Sequence, residues 1–122
     1  MAQNNEQFSY KDGKLHSYND KPAHIDNDGA QFWYVDGELH RSNDKPAAVY
    51  RLGSQEWYKK GKLHRSNDKP AVILCDTSRE WYEEGVLHRE GGAPACIYSN
   101  GELYWYTKGV STGYRKLTRN LN

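Results

Sequence analysis

A period of 24 residues runs through this chain of 122 residues. The segment at 57–71 reads WYKKGKLHRSNDKPA, and the segment at 33–47 reads WYVDGELHRSNDKPA. Two residue types fall wholly in columns of this period, namely the four tryptophans (Trp33, Trp57, Trp81 and Trp105) and the four prolines (Pro22, Pro46, Pro70 and Pro94). Because a unit that recurs at a fixed period is the signature of a repeat protein, we predict a stacked array.

Glycine, leucine and histidine fill further columns. Their members include Gly37, Gly61 and Gly85, then Leu39, Leu63 and Leu87, and the histidines His40, His64 and His88 that follow these leucines. The glycine ends a strand at a position where a positive φ is expected. The columns divide one domain, residues 1–122, into units at about 8–30, 31–54, 55–78 and 79–102, with a partial capping unit at 103–122.

Each unit reads as two short strands. The first follows the Pro-Ala pair, as in 47–51, 71–75 and 95–99, and is rich in β-branched and aromatic residues. After a hairpin turn such as Asn100-Gly101, the second strand contains the Trp-Tyr pair. No helical period occurs. The predicted fold is all-β, a single elongated and twisted antiparallel sheet of tandem 24-residue hairpins.

Alternation along the strands predicts which side chains share a face. In the first strand Ala47 and Val49 should point to one side. In the second strand tryptophan and tyrosine should point to opposite sides, which gives a tryptophan row and a tyrosine row. We expect the indole rings to touch from unit to unit as the core, leaving an aromatic row exposed for recognition.

Composition excludes several classes. The formal net charge is +1, which predicts no strong attraction to nucleic acid or anionic membranes. No apolar run is long enough to span a membrane, and the polar start lacks the apolar core of a signal peptide, so we expect a cytoplasmic protein. Four basic residues, Lys108, Arg115, Lys116 and Arg119, follow the last acidic residue, Glu102, and we expect this tail to be a solvated terminus.

The histidine column does not predict a metal site, and nothing indicates a cofactor. Equivalent positions in successive units should lie about 10 Å apart, whereas the ligands of one zinc ion lie much closer. We expect each histidine to bond a backbone carbonyl or the aspartate of its own NDKP loop. We likewise expect Arg41, Arg65 and Arg89 to pair with the nearby acids Asp44, Asp68 and Glu90, which makes nucleic-acid binding unlikely.

The two cysteines are expected to be free thiols. Cys75 and Cys96 fall on opposite faces of their strands, so a disulfide between them is excluded. A Cys96–His88 catalytic pair is conceivable, but no motif surrounds either residue and structural packing is favoured. With no nucleophile elbow, carboxylate pair or metal cluster, we predict that the protein is not an enzyme.

The pattern (D/N)G…WYxxGxLHR…PA resembles the MORN repeat, in the divergent variant of antitoxin-like, phage and large-DNA-virus proteins. The resemblance covers about residues 8–110. It implies a meandering sheet of antiparallel hairpins that serves as a binding scaffold rather than as an enzyme. The first unit departs from the pattern, with Ser9 in the tryptophan column and Ser17 in the arginine column.

These features together predict a non-catalytic module that binds a protein. From the resemblance we expect a phage-encoded inhibitor or modulator of a host protein, located in the host cytoplasm and acting by steric occlusion. The expected partner-binding residues are Tyr34, Trp57, Tyr58, Arg65 and Tyr82. The alternative is an antitoxin-like protein that captures a nucleotide or another small anion. The two edges of an open sheet would also allow the chain to dimerise.

Overall fold

The computed structural model describes residues 5–118, and every regular element in that range is a β-strand. The strands are β1 (Gln7–Phe8), β2 (Tyr10–Lys11), β3 (Lys14–Leu15), β4 (His24–Ile25), β5 (Gln31–Phe32), β6 (Tyr34–Val35), β7 (Glu38–Leu39), β8 (Ala48–Val49), β9 (Gln55–Glu56), β10 (Tyr58–Lys59), β11 (Lys62–Leu63), β12 (Val72–Ile73), β13 (Arg79–Glu80), β14 (Tyr82–Glu83), β15 (Val86–Leu87), β16 (Cys96–Ile97), β17 (Glu102–Thr107) and β18 (Val110–Lys116). The all-β prediction is confirmed. Within residues 5–118 no helix long and apolar enough to cross a membrane is found.

One open antiparallel sheet of ten strands forms the body of the molecule. Its order is β1-β4-β5-β8-β9-β12-β13-β16-β17-β18. The pairs β2–β3, β6–β7, β10–β11 and β14–β15 form four separate two-stranded sheets. The architecture is therefore one long sheet with a row of small hairpins beside it, where the sequence predicted a single sheet.

The tryptophan of each unit is the point at which the chain changes its pairing partner. The Trp33 N–H donates to the carbonyl of Ala47 at 2.7 Å, whereas the Trp33 carbonyl accepts from the His40 N–H at 3.0 Å. The predicted second strand is thereby split into β5 and β6. The predicted first strand at 47–51 likewise shortens to Ala48–Val49.

Two-residue turns with positive φ lie at the tip of each small hairpin and in the loop that leads from it back to the long sheet. In one turn Asp36 and Gly37 have φ of 48° and 86°. In the other, Asn43 and Asp44 have φ of 64° and 56°. Glycine, asparagine and aspartate tolerate this conformation best, which explains the recurring NDKP segment. In the fourth unit the pair Gly91-Gly92 takes the place of Asn-Asp, with φ of 83° and 79°.

The core is thin and is built on alanine. Ala47 is completely buried, with its N–H bonded to Glu56 O at 2.9 Å. Burial does not alternate along this strand, because Ala47 and the adjacent Ala48 are both buried and Val49 is less so. The alanines that share full burial with Ala47 are Ala23, Ala48, Ala71 and Ala95.

The C-terminal segment forms an edge strand. β18 pairs along its length with β17, with an irregularity between Trp105 and Tyr106. Arg115 and Lys116 belong to this strand, so the basic segment is ordered there while both side chains are exposed to solvent. Arg119 lies outside the described residues.

One turn of the long sheet carries backbone strain that glycine would relieve. Thr77 has a φ of 75°, and its N–H donates to Leu74 O at 2.8 Å. Gly53 holds the same turn position one unit earlier, with its N–H donating to Tyr50 O at 2.9 Å. A β-branched residue at positive φ is a steric outlier.

We therefore expect Thr77→Gly to raise the free energy of unfolding by about 1 kcal/mol. This is the net effect of relieving the strain at Thr77, which stabilises the fold, and of the greater entropy that glycine gives the unfolded chain, which destabilises it. Urea denaturation measures this change. Gly53→Thr is the matched control, because a Cβ there would meet no atom within 4 Å and only the φ is tested. It should destabilise the chain. A loss of stability in Thr77→Gly would contradict the strain assignment.

Candidate binding furrow

An aspartate in one unit clamps three side chains of the next, two through its carboxylate and one through its backbone carbonyl. Asp44 accepts hydrogen bonds from Arg65 Nε at 2.9 Å, Arg65 Nη2 at 3.3 Å and Lys69 Nζ at 2.9 Å. The Trp57 indole N–H donates to the Asp44 carbonyl at 3.0 Å. Arg65 Nη1 donates to Pro70 O at 3.1 Å, so the guanidinium is held on two sides.

The clamp recurs in full one unit earlier and, without the lysine because Ala93 holds its position, one unit later. The arginine–aspartate pairs are Arg41–Asp20, Arg65–Asp44 and Arg89–Asp68. The prediction that each arginine pairs within its own loop is therefore wrong, because the acid comes from the preceding unit. This arrangement ties neighbouring units together, and each NDKP loop serves the unit that follows it.

Arginine, rather than a second tryptophan, packs on each clamped indole. Arg65 Cζ lies 3.8 Å from the centre of the Trp57 ring, and Arg41 Cζ lies 3.7 Å from that of Trp33. Ring contacts among residues 5–118 join no tryptophan to another. The expectation of touching indole rings is therefore wrong, and cation–π contacts between arginine and indole take their place.

The clamp also governs the acidity of its aspartates. Hydrogen bonds from Arg65 and then Lys69 lower the pKa of Asp44 to about 2. The corresponding bonds from Arg41 and Lys45 hold the pKa of Asp20 well below its usual range. The aspartates therefore carry their charge at all physiological pH values.

Each histidine of the column joins two units through its Nδ1 atom. His40 Nδ1 accepts the backbone N–H of Lys60 at 3.2 Å, and His64 Nδ1 accepts that of Glu84 at 3.1 Å. The expected bond to a carbonyl or to the loop aspartate is wrong, because Nδ1 is an acceptor here. No group of three metal-ligating side chains occurs in the part of the chain that the structure describes.

Hydrogen bonds between tyrosine and glutamate form a second set of side-chain contacts. Glu56 accepts hydrogen bonds from Tyr50 at 2.8 Å and from Tyr58 at 3.0 Å. Glu80 accepts from Tyr98 at 2.6 Å and from Tyr82 at 3.4 Å. Burial, followed by the nearby carboxylate, raises the pKa of Tyr82 to about 12. These phenols are therefore uncharged hydrogen-bond donors, and their bonds offset the free-energy cost of partly burying the glutamate carboxylates.

The cysteines are both free, as expected. Cys96 is buried, and burial raises the pKa of its thiol. A thiol of raised pKa carries little thiolate at neutral pH and is a poor nucleophile. His88 Nδ1 accepts the Lys108 N–H at 2.8 Å and its Nε2 lies 3.2 Å from Glu90, so no described hydrogen bond joins His88 to Cys96.

A furrow runs along the clamps in three compartments. Their cavity volumes are about 410, 590 and 360 Å³. His64, Arg65, Ser66 and Asn67 border the first and second compartments, and His88 to Gly91 border the second and third. We call this row of three adjoining compartments the clamp furrow.

Four of the five predicted partner-binding residues line the clamp furrow, namely Trp57, Tyr58, Arg65 and Tyr82. Tyr34 is not among the residues that line the three compartments. Trp57 is only 7% exposed and Arg65 is occupied by Asp44, so both form rigid walls.

The charged groups that face solvent in the clamp furrow differ from unit to unit. Lys59 lies in the first compartment, and Glu83 and Glu90 lie in the second. Their side chains are 51%, 57% and 84% exposed. Sequence reasoning missed them because it looked for function among the columns that repeat one residue type. The available signal was a column whose residue changes from unit to unit, namely Val35, Lys59 and Glu83.

Asp44→Asn tests the clamp. The charge-assisted bonds to Arg65 and Lys69 weaken, and we expect a loss of about 1 kcal/mol of unfolding free energy, a value that allows for solvent screening. Asp28→Asn, an exposed carboxylate away from the clamp, is the matched control and should change little.

The pH dependence of stability tests the same contact between Asp44 and its partners. Because the folded pKa of Asp44 is lowered, its stabilisation is full above the unfolded pKa near 3.8 and is lost as the pH falls to about 2. Chemical denaturation between pH 5 and 2, a window set by these two values, should show a smaller acid loss in Asp44→Asn than in the wild type. Equal acid losses would contradict the clamp.

Comparisons with known proteins provide no family assignment. No protein-family model matches the chain, and neither a curated protein nor a solved structure does.

Proposed function

We propose that this chain is a MORN-like repeat module that binds a protein partner along the clamp furrow without catalysing a reaction. The observation that supports this most is the division of labour between columns. The repeated arginine, tryptophan and histidine side chains are consumed by contacts between units, while the positions that vary remain exposed along the clamp furrow. A rigid frame with variable exposed positions is the usual design of repeat binding proteins.

The dimensions of the clamp furrow fit an extended segment. Each unit contributes two strands to the long sheet, so equivalent compartments should repeat about every 10 Å. An extended chain rises about 3.3 Å per residue, and about three residues of a partner would cover one compartment. Lys59 in one compartment and Glu83 with Glu90 in the next favour a segment in which an acidic side chain precedes or follows a basic one at that spacing.

Binding of this kind would act by occlusion. The furrow walls are already ordered by Asp44, Arg65 and Trp57, so little conformational entropy is lost when a partner docks. A partner whose active or assembly surface contains the docked segment would be covered. Inhibition of a host protein in the cytoplasm, with the chain encoded by a phage, is the form of this role that the sequence resemblance favours.

The alternative of nucleotide or small-anion capture has less support. A phosphate needs unpaired donors, whereas Arg41, Arg65 and Arg89 each contact an aspartate at 2.8–2.9 Å. The clamp would have to open before these guanidinium groups could bind an anion.

Charge reversal in the clamp furrow tests the proposal. We expect the double variant Lys59→Glu, Glu83→Lys to weaken capture of the partner by about tenfold or more, since like charges then face each other. The measurement is quantitative affinity capture from a candidate host lysate, followed by titration of the enriched protein. Lys59 and Glu83 are better probes than Tyr58 and Tyr82, whose hydroxyl groups also stabilise the sheet.

The matched control is Lys11→Glu, Asp28→Lys, which makes the same two charge changes at exposed positions outside the clamp furrow. It should retain the partner. Equal capture by the furrow variant and the wild type would overturn the proposal. A melting temperature that rises on addition of nucleotides, with no protein captured, would favour the small-anion alternative instead.

A further inference from the structure

The long sheet ends in two different open edges. β1 lies at one end of the strand order and β18 at the other, and neither has a strand on its outer side within residues 5–118. An unpaired edge presents backbone donors and acceptors to any strand that can approach it. Both edges also expose aromatic rings, with Phe8 49% and Tyr114 56% exposed.

Phe8 and Tyr114 stand in the same row on the same face of the long sheet. Successive strand pairings connect them through directly opposed residues: Phe8, His24, Phe32, Ala48, Glu56, Val72, Glu80, Cys96, Tyr104 and Tyr114. At one end Phe8 packs on His24 with ring centres 4.6 Å apart. At the other end Tyr104 and Tyr114 lie 4.9 Å apart. Each edge therefore ends in an aromatic ring that lacks its next neighbour.

We propose that β18 of one copy pairs with β1 of the next copy, so that chains associate head to tail. The ten strands alternate in direction, so a translated second copy presents β1 antiparallel to β18, as every internal pair is. With Tyr114 opposite Phe8, the aromatic row continues from copy to copy. The contact joins two different surfaces and does not close, which makes the assembly an open array.

The charges at the edges select this arrangement over symmetric ones. In the same register Lys116 lies opposite Glu6 of the next copy, whose carboxylate is also 3.5 Å from His24 Nε2. Opposite charges directly across a strand pair are stabilising. Pairing of β18 with itself would gather two copies of Arg115 and Lys116, and no acidic residue follows Glu102 to offset them.

We call the β1 edge the head and the β18 edge the tail. A slot lies beside β1 at the head. It has a cavity volume of about 310 Å³ and lies between Gln7 and the loop that contains Tyr18. Ser9, which lines the slot, occupies the tryptophan column. The proposed register sets Arg115 of the neighbouring copy opposite Gln7, at the border of this slot.

Sedimentation velocity from micromolar to millimolar concentration tests the proposal. The proposed contact pairs only two or three residues of one edge with the other, and no covalent link holds the copies together. Assembly should therefore be weak and should depend on concentration. The weight-average sedimentation coefficient of the wild type should rise without stopping at the value of a dimer. Phe8→Lys blocks the head and Tyr114→Lys blocks the tail, and each variant alone should stay monomeric.

An equimolar mixture of Phe8→Lys and Tyr114→Lys should form dimers and stop there, because one variant retains a tail and the other a head. Val35→Lys is the control, since Val35 is exposed on β6 away from both edges, and it should assemble as the wild type does. Lys116→Glu alters charge alone and should weaken assembly several-fold.

Several results would overturn the proposal. One is a wild-type chain that remains monomeric at millimolar concentration. Association of either lysine variant alone at Phe8 or Tyr114 would indicate a symmetric contact instead. A mixture of the two variants that stays monomeric, with both folded by their melting curves, would exclude the β18–β1 pairing.

Discussion

The stability of this sheet depends on the contact between a turn carboxylate and the arginine of the next unit. A single layer built mostly of two-residue strands has almost no interior, and its most buried side chains are small, as at Ala47 and Ala71. Asp44 provides stabilisation that burial of apolar surface does not, because its carboxylate holds Arg65 and Lys69 and its backbone carbonyl holds Trp57. Arg65 in turn covers the indole face at 3.8 Å. Polar and cation–π contacts therefore take the place of a hydrophobic core.

The same contact limits what the surface can do. Because the repeated arginines and histidines are occupied between units, recognition falls to side chains outside the repeat pattern, such as Lys59 and Glu83. The furrow walls are held in place before any partner arrives, which favours tight packing against a segment of fixed conformation. The mean hydropathy of −1.06 has the same origin, since a fold held by clamps needs few aliphatic side chains.

The period, the strand content and the turn glycines could be predicted from the sequence, because each follows from local chemistry. Gly61, for example, has the positive φ that its place after strand residues demanded. The pairing of Arg65 with Asp44 could not, since Asp68 lies nearer in sequence and only the stacking of units decides between them. The split of the second strand at Trp57 could not be predicted either, because it depends on a change of partner: the Trp57 N–H bonds Ala71, whereas its carbonyl accepts from His64.

Hydrogen exchange of the indole N–H groups, followed by NMR, tests the clamp most directly. All four indoles donate to a loop carbonyl, but Trp105 has Gly113 where the others have an arginine. If the arginine–aspartate clamp secures each unit, the indole protons of Trp33, Trp57 and Trp81 should exchange slowly and that of Trp105 much faster. Equal exchange rates at all four tryptophans would contradict the account.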